Sequence, residues 1–470
     1  MQRRSFLAAA PLIARRLGAQ SRSRPNVLFI TADDLGLQMS SYGETLIQTP
    51  HMDRLAGSGV RFRTAYVVQA SCSPSRSGMF TGLYPHSNGQ YGLVNTGHKL
   101  HQHLYKATIP SVLKRAGYRT GIIGKLHVAP EDTFPFDVRA TNSANTRKVR
   151  DVAARAAEFW KGGGADPFFL MVNYSDPHAF RDSPTASEWY FPPQVDGLPA
   201  SPIKPGPKTL FPFQQIDTEG QRVRTANYYN AIKRLDDGVG MLMAELDKTG
   251  KADNTLVIFI GDHGPPFARG KTTCYESGLR IPFLVRWPGV SKTGVSDAMV
   301  STVDIAPTIY DAAGVAAPLE LHGRSLRPQV RNPGARGRRY LAGEFHMHGS
   351  RPVYPRRAIR DDRYKLIHNL LAGKAKPSTG IDGDHAYEWS RAAAYDGTPV
   401  RRAFDTFADP PEFELYDLRD DPIEFNNLAG KREIAGVEKR MKTALHQWRV
   451  ETKDPCLDPG FIPRLTAPAG

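Results

Sequence analysis

Four separate stretches of this chain share one layout: a short strand-like run with an apolar centre that stops at charged or metal-capable side chains. Asn26-Val27-Leu28-Phe29-Ile30-Thr31-Ala32 runs into Asp33-Asp34, and residues 118–124 run into Lys125-Leu126-His127. Residues 167–174 run into Ser175-Asp176-Pro177-His178, and 255–261 into Asp262-His263. Short apolar runs without polar alternation suit strands of a parallel sheet covered on both faces. Ligands of open α/β sheets gather at the carboxyl ends of such strands, where these polar groups would lie. Adjacent carboxylates are oxygen donors for a hard cation such as calcium, and they also serve as helix caps or turns. Alternation puts Lys125 and His127 on one side of their strand end. There they could neutralise an anion and carry a proton, or form a solvated loop pair.

The intervening segments supply the other layers of an α/β fold. Thr49-Pro50 begins a short helix, with Thr49 as N-cap and Pro50 at the first helical position. Residues 111–116 form a helix stopped by Gly117, and 304–313 one stopped by Gly314. The clearest helix spans 224–250, where Tyr229, Ile232, Leu235, Val239, Leu242 and Leu246 recur at helical spacing. Residues 281–287 read as a further strand. From 182 to 213 there are eight prolines, so this stretch is expected to be an irregular surface excursion that walls a substrate cleft. Six arginines between 323 and 339 mark an interdomain connection, giving a catalytic domain over 25–335 and a smaller domain over 336–470. In the latter, 364–367 and 413–418 read as antiparallel strands and 432–450 as a terminal helix.

A chain of 470 residues with a formal charge of +15 favours acidic partners. No nucleic-acid recognition motif accompanies that charge, so nucleic acid is not expected; a polyanionic sulfated glycan suits it at least as well, and so does a generally basic surface without such a partner. No apolar run in the mature part is long enough to span a bilayer. Three cysteines, Cys72, Cys274 and Cys456, offer no disulfide framework. Residues 1–24, opening Met1-Gln2-Arg3-Arg4-Ser5-Phe6-Leu7, look like a twin-arginine export signal, which implies a periplasmic or extracellular protein.

The densest motif is Cys72-Ser73-Pro74-Ser75-Arg76 with Thr81-Gly82 at fixed distance. It resembles the motif of type I sulfatases, in which the cysteine is oxidised to Cα-formylglycine (3-oxoalanine). A thiolate attacking sulfur would be trapped as a thiosulfate. A hydrated aldehyde offers one hydroxyl to attack and a second whose deprotonation expels the sulfate. If a helix starts here, Arg76 lies one turn from Cys72 and brings its charge close.

That resemblance extends over almost the whole mature chain, and its implications are specific. It implies an alkaline-phosphatase-like α/β fold with a large mixed sheet flanked by helices, and a smaller C-terminal domain with an antiparallel sheet. It implies one calcium ion held by Asp33, Asp34, Asp262, His263 and the oxygen made from Cys72, with a separate maturation enzyme forming the formylglycine. His263 stands where asparagine is frequent in the family. Arg76 would hold the nucleophile, Lys125 and Lys271 the sulfate oxygens, His127 would take a proton on release, and His178 would protonate the leaving atom.

Within the family, residues 70–76, 121–128, 176–178, 321–326, 365–370 and 451–455 are similar to the heparan N-sulfatases, which act on N-sulfoglucosamine. Those enzymes carry arginine in place of Lys271, and their histidine-rich loop is partly mirrored by Phe345-His346-Met347-His348, where His348 is the expected substrate contact. Other outcomes compatible with the same residues are an O-sulfatase on another polysaccharide, a phosphonate or phosphodiester hydrolase, and an inactive basic glycan-binding protein.

Overall fold

The computed structural model describes residues 24–141, 146–164, 166–183, 186, 188–192 and 201–466. The proposed export signal lies outside them, apart from Arg24. In chain order the first strands are β1 (Asn26–Ala32), β2 (Val60–Phe62), β3 (Ala65–Tyr66), β4 (Arg119–Gly124) and β5 (Val138–Ala140). There follow β6 (Phe168–Tyr174), β7 (Thr255–Gly261), β8 (Phe283–Arg286), β9 (Gly294–Ser296) and β10 (Val300–Ser301). Eight of these form one sheet in the order β5-β4-β6-β1-β7-β8-β2-β9. From β5 to β7 all pairings are parallel, while β8 runs antiparallel to both β7 and β2. The sheet is therefore mixed.

The continuous apolar runs are explained by burial on both faces. In β1, Val27 and Phe29 join one core with Phe80, Leu113 and Ile309, while Leu28 and Ile30 join the other with Val152, Leu235 and Leu242. Each fully buried side chain of this size contributes roughly 1.5–3 kcal/mol relative to exposure. The long helix spans Glu219–Lys248 and buries every residue of its predicted stripe. It starts five residues before the expected Arg224, because the Thr218 side chain accepts from Gln221 N and caps it there. The short helix Pro50–Gly57 begins where expected, but the Thr49 hydroxyl does not cap it. Asp236, reaching from the long helix, accepts from His51 N and Met52 N instead.

Strands β11 (Leu341–Phe345), β12 (Arg356–Arg360), β13 (Tyr364–Asn369) and β14 (Phe413–Asp417) form an antiparallel sheet. The helix Ala435–Glu451 packs Met441 and Leu445 against Ile359, Leu366 and Leu415 of that sheet. The architecture is that of the alkaline-phosphatase-like fold, with a large mixed sheet and a smaller antiparallel one. Among the described residues no helix is long and apolar enough to cross a membrane.

Register decides where the polar strand ends fall. Ala32 of β1 lies opposite Tyr174 of β6 and Gly261 of β7, and Gly124 of β4 lies opposite Asn173. The residues that follow each strand therefore emerge at one edge of the sheet, side by side.

Candidate active site

The motif forms a helix, Cys72–Thr81, whose ten residues are all buried. Its first residue, Cys72, points its sulfur at the sheet edge, 3.3 Å from His263 Nε2. Oriented N–H groups at a helix start favour negative charge there. Arg76, one turn on, is fully buried: Nε lies 3.0 Å from Asp262 Oδ2, Nη2 2.9 Å from the same oxygen, and Nη1 3.0 Å from both Asn173 Oδ1 and the Lys125 carbonyl. Three strand ends, those of β7, β6 and β4, thus hold one guanidinium. Asn173, the penultimate residue of β6, is a site residue that the sequence reading missed.

The glycines around Asp262-His263 serve close approach. A Cβ on Gly261 would lie 2.0 Å from Leu35 O, and one on Gly264 1.8 Å from Ser277 O. Asp34 and His127 both sit at positive φ, 68° and 56°. Non-glycine residues in that region are enriched at functional sites, where surrounding contacts maintain the cost.

Ligand atoms of Asp33, Asp34, Cys72 and His263 all lie within 4.8 Å of one another. Asp33 Oδ1 is buried and accepts no hydrogen bond, and Asp34 Oδ1, also buried, has the Lys271 ammonium 3.0 Å away without hydrogen-bond alignment. His263 Nδ1 donates to Gly264 O at 3.0 Å, which leaves Nε2 facing Asp34 Oδ1 at 3.3 Å. Burial favours the neutral ring, yet Asp262, Cys72 and Asp34 push His263 up to about 10. Anionic groups packed this closely demand a positive charge, and carboxylates suit calcium. The donor set fits a cation. Asp262 adjoins this cluster: its Oδ1 accepts from Asp34 N at 2.9 Å and lies 3.8 Å from His263 Nε2, while Oδ2 is held by Arg76. Burial, followed by the charge of Asp33, pushes Asp262 up to about 7.

Positive groups ring the cluster. Lys125 Nζ is 2.8 Å from Asp33 Oδ2. Burial opposes ionisation of Asp33, but Lys125, with His178 and Arg76 adding to it, holds the carboxyl well below its usual range. Lys271 Nζ lies 3.0 Å from Asp34 Oδ1 and 3.4 Å from His178 Nε2. Burial and then Lys125 push His127 down to about 4, so its ring is neutral and able to accept a proton. The Cys72 thiol, despite burial, is drawn well below its usual value by Lys125, Lys271 and His263. His348 is buried with Nδ1 2.8 Å from Oγ of Ser71, the residue before Cys72.

A cleft of about 360 Å³ opens over Asp33, Lys125, His127 and His178. Phe180, Arg181 and Trp189 wall it, so the proline-rich excursion contributes through Trp189. The Trp189 ring is 6.0 Å from that of His178 and stacks under Arg181 at 4.7 Å. Among its described residues the excursion has no helix, and its backbone pairing is the bridge between Phe180 and Tyr190. Such basic and aromatic walls suit an anionic sugar.

The family model described as Sulfatase matches residues 25–315 of the chain. A second, described as N-sulphoglucosamine sulphohydrolase, C-terminal, matches 261–375. The chain is 32% identical over 480 residues to N-sulphoglucosamine sulphohydrolase of Homo sapiens, covering 95% of each. It is 29% identical over 437 residues to an ulvan-active sulfatase of Formosa agariphila, covering 90% of this chain and 80% of that one. Among solved structures it resembles one determined with its substrate D-glucosamine-2-N,6-O-disulfate: TM-score 0.68, 23% identity, covering 92% of this chain and 99% of that one.

Proposed function

The chain belongs to the sulfatase family and is a hydrolase acting on a sulfated substrate, and from that premise we propose that it removes the N-sulfate of glucosamine in heparan or heparin fragments. The observation that carries the reading is the position of Cys72: its buried sulfur sits within the Asp33, Asp34 and His263 cluster, and Asp33 of that cluster also lines a basic cleft. The sulfur stands for an oxygen of the formylglycine hydrate. That hydrate supplies the attacking oxygen and a second hydroxyl for release. Calcium, held by Asp33, Asp34, His263 and that oxygen with Asp262 alongside, would supply fixed positive charge against the sulfate oxygens.

The protein's own groups divide the remaining work. Arg76, immobilised by Asp262 and Asn173, keeps the nucleophile oriented. Lys125 and Lys271 bind sulfate oxygens and offset the charge that accumulates at sulfur, typically the largest catalytic contribution in such sites. His127, neutral, takes the proton from the second hydroxyl. His178, whose Nδ1 is fixed by the Ala179 carbonyl, presents Nε2 to the leaving nitrogen. His348, behind Ser71, would contact the sugar. Trp189 and Arg181 would hold the ring and its anionic neighbours.

The human relative that covers 95% of both chains supports the N-sulfate reading. The ulvan-active relative favours a second one, an O-sulfatase on another polysaccharide. We also place maturation of Cys72 before export directed by residues 1–24, and a boundary between catalytic and C-terminal domains near residue 335.

The test is an assay of purified protein, coexpressed with a formylglycine-generating enzyme, on glucosamine N-sulfate beside 6-O-sulfated N-acetylglucosamine. Turnover of the N-sulfate alone is expected. Turnover of the O-sulfate alone would transfer the site to the second reading.

A further inference from the structure

Lys271 carries a partner that no motif predicts. Asp382 Oδ2 lies 2.8 Å from Lys271 Nζ, and both side chains are almost wholly buried. Asp382 belongs to the segment after β13, beyond both matched stretches, 25–315 and 261–375. Its ligand atom, an oxygen of Asp34 and a ring nitrogen of His178 all lie within 4.8 Å of one another.

The turn that delivers Asp382 is rigidly held. Ile381 and Asp384 bridge across it, with Asp382 at φ 44° and Gly383 at φ 77°. A Cβ on Gly383 would lie 2.9 Å from Trp189 Cβ, so the turn packs directly on the cleft wall. Arg224 Nη2 donates to the Asp382 carbonyl at 2.6 Å. Asp384 Oδ2 accepts from Ala268 N at 2.7 Å and Gln214 Nε2 at 2.9 Å. A left-handed aspartate held this way, in a buried site, is placed there at a conformational cost.

We propose that Asp382 is a positioning residue for departure of the leaving group, holding the Lys271 ammonium beside His178. The inference rests on the proposed function. Lys271 Nζ has two carboxylate neighbours, Asp34 and Asp382. Asp34 belongs to the candidate cation cluster, so Asp382 is the carboxylate neighbour of Lys271 that lies outside that set. Without it the ammonium leans toward Asp34 and away from the leaving atom. In the reaction the S–O bond to the nucleophile forms and the S–N bond breaks. The nitrogen keeps the electron pair and takes a proton from the His178 and Lys271 side. An alkoxide leaving group needs the same proton; a nitrophenolate leaves without one.

That difference gives the test, made on the matured, calcium-loaded full chain. Asp382→Asn is compared with the unaltered protein on 4-nitrophenyl sulfate and on whichever sugar sulfate the protein hydrolyses. General acid assistance contributes typically about 10²–10⁴-fold. The expected result is a loss of kcat of roughly a hundredfold on the sugar sulfate, with less than about fivefold on the nitrophenyl ester and KM little changed. Asp382→Glu should recover part of the loss. In a Lys271→Ala background, Asp382→Asn should cost almost nothing more, because the two act as a unit. Equal losses on both substrates, no loss on either, or additivity in the double variant would overturn the assignment. If Asp382→Asn fails to fold, Asp382→Glu and Lys271→Ala with their double variant carry the same comparison. A protein active on O-sulfates alone would end the N-sulfate reading and leave this test standing. Inactivity of the matured protein on every sulfate would end both.

Discussion

The Cys72 sulfur lies 3.3 Å from His263 Nε2 across 191 positions of sequence. That contact joins the start of a buried helix to the end of β7, and it sets the proposed nucleophile among the side chains that could hold a cation.

Replacing the nucleophile separates catalysis from folding. Cys72→Ala removes one small buried group at the helix start, so thermal melting should move by only a few degrees. Turnover should fall by about a thousandfold or more, since the covalent route is removed. Steady-state assays beside a thermal melt check both.

Removing the cation should affect stability as well as rate. The carboxylates of Asp33 and Asp34 face a buried thiol and imidazole, and without a divalent charge they repel one another. A cation at a hundredfold excess over its Kd stabilises the folded state by about 2.7 kcal/mol. Chelation should lower both Tm and activity, and added calcium should restore them. Asp33→Asn and Asp34→Asn should blunt the calcium-dependent rise in Tm.

His127 is expected to act after the first chemical step. In His127→Ala the first turnover should proceed while later ones stall by roughly a hundredfold, within the range for loss of a general base. Rapid-mixing kinetics would show a burst of released amine close to one per enzyme.

Away from the active site, Glu344 ties β11 to the helix that follows the motif. It accepts from His86 N at 2.9 Å and lies 3.7 Å from Arg357 Nε; that guanidinium donates from Nε to Asp454 Oδ2 and from Nη2 to Asp454 Oδ1, each at 2.8 Å. Burial opposes its ionisation, yet His86 and Arg357 hold Glu344 down to about 2, against 4.5 ordinarily. A carboxyl depressed by folding contributes stability that is complete above the ordinary value and lost as pH falls toward the folded one. Glu344→Gln should therefore cost about 3–5 kcal/mol at neutral pH, typical of breaking a buried pair. The gap should narrow as pH falls from 4.5 toward 2. Urea unfolding of both proteins across this range checks the sign.

Much of the α/β layer was legible because its signals are local. The apolar runs of β1 and β7, and the stripe on Glu219–Lys248, each depend on burial of consecutive or periodic residues. Register was not legible: that Ala32 faces both Tyr174 and Gly261 follows from packing across the sheet. Thr49 carries the composition of a cap, but the capping oxygens come from Asp236, far along the chain. Strand β12 escaped notice because three of its five residues are arginines. Arg357 and Arg360 are buried there by pairing with Asp454 and Glu276, partners that sequence spacing does not reveal. Asp382 was invisible for the same reason: its meaning comes from Lys271, 111 positions away.

The central claim is that turnover resides in an aldehyde made from Cys72. Its most direct test is to prepare the same chain with and without a formylglycine-generating enzyme and measure the aldehyde fraction by peptide mass. Hydrolysis of glucosamine N-sulfate would be followed on each preparation. The account predicts a rate proportional to the aldehyde fraction and no turnover from protein carrying only the thiol. Equal rates from modified and unmodified protein would contradict it.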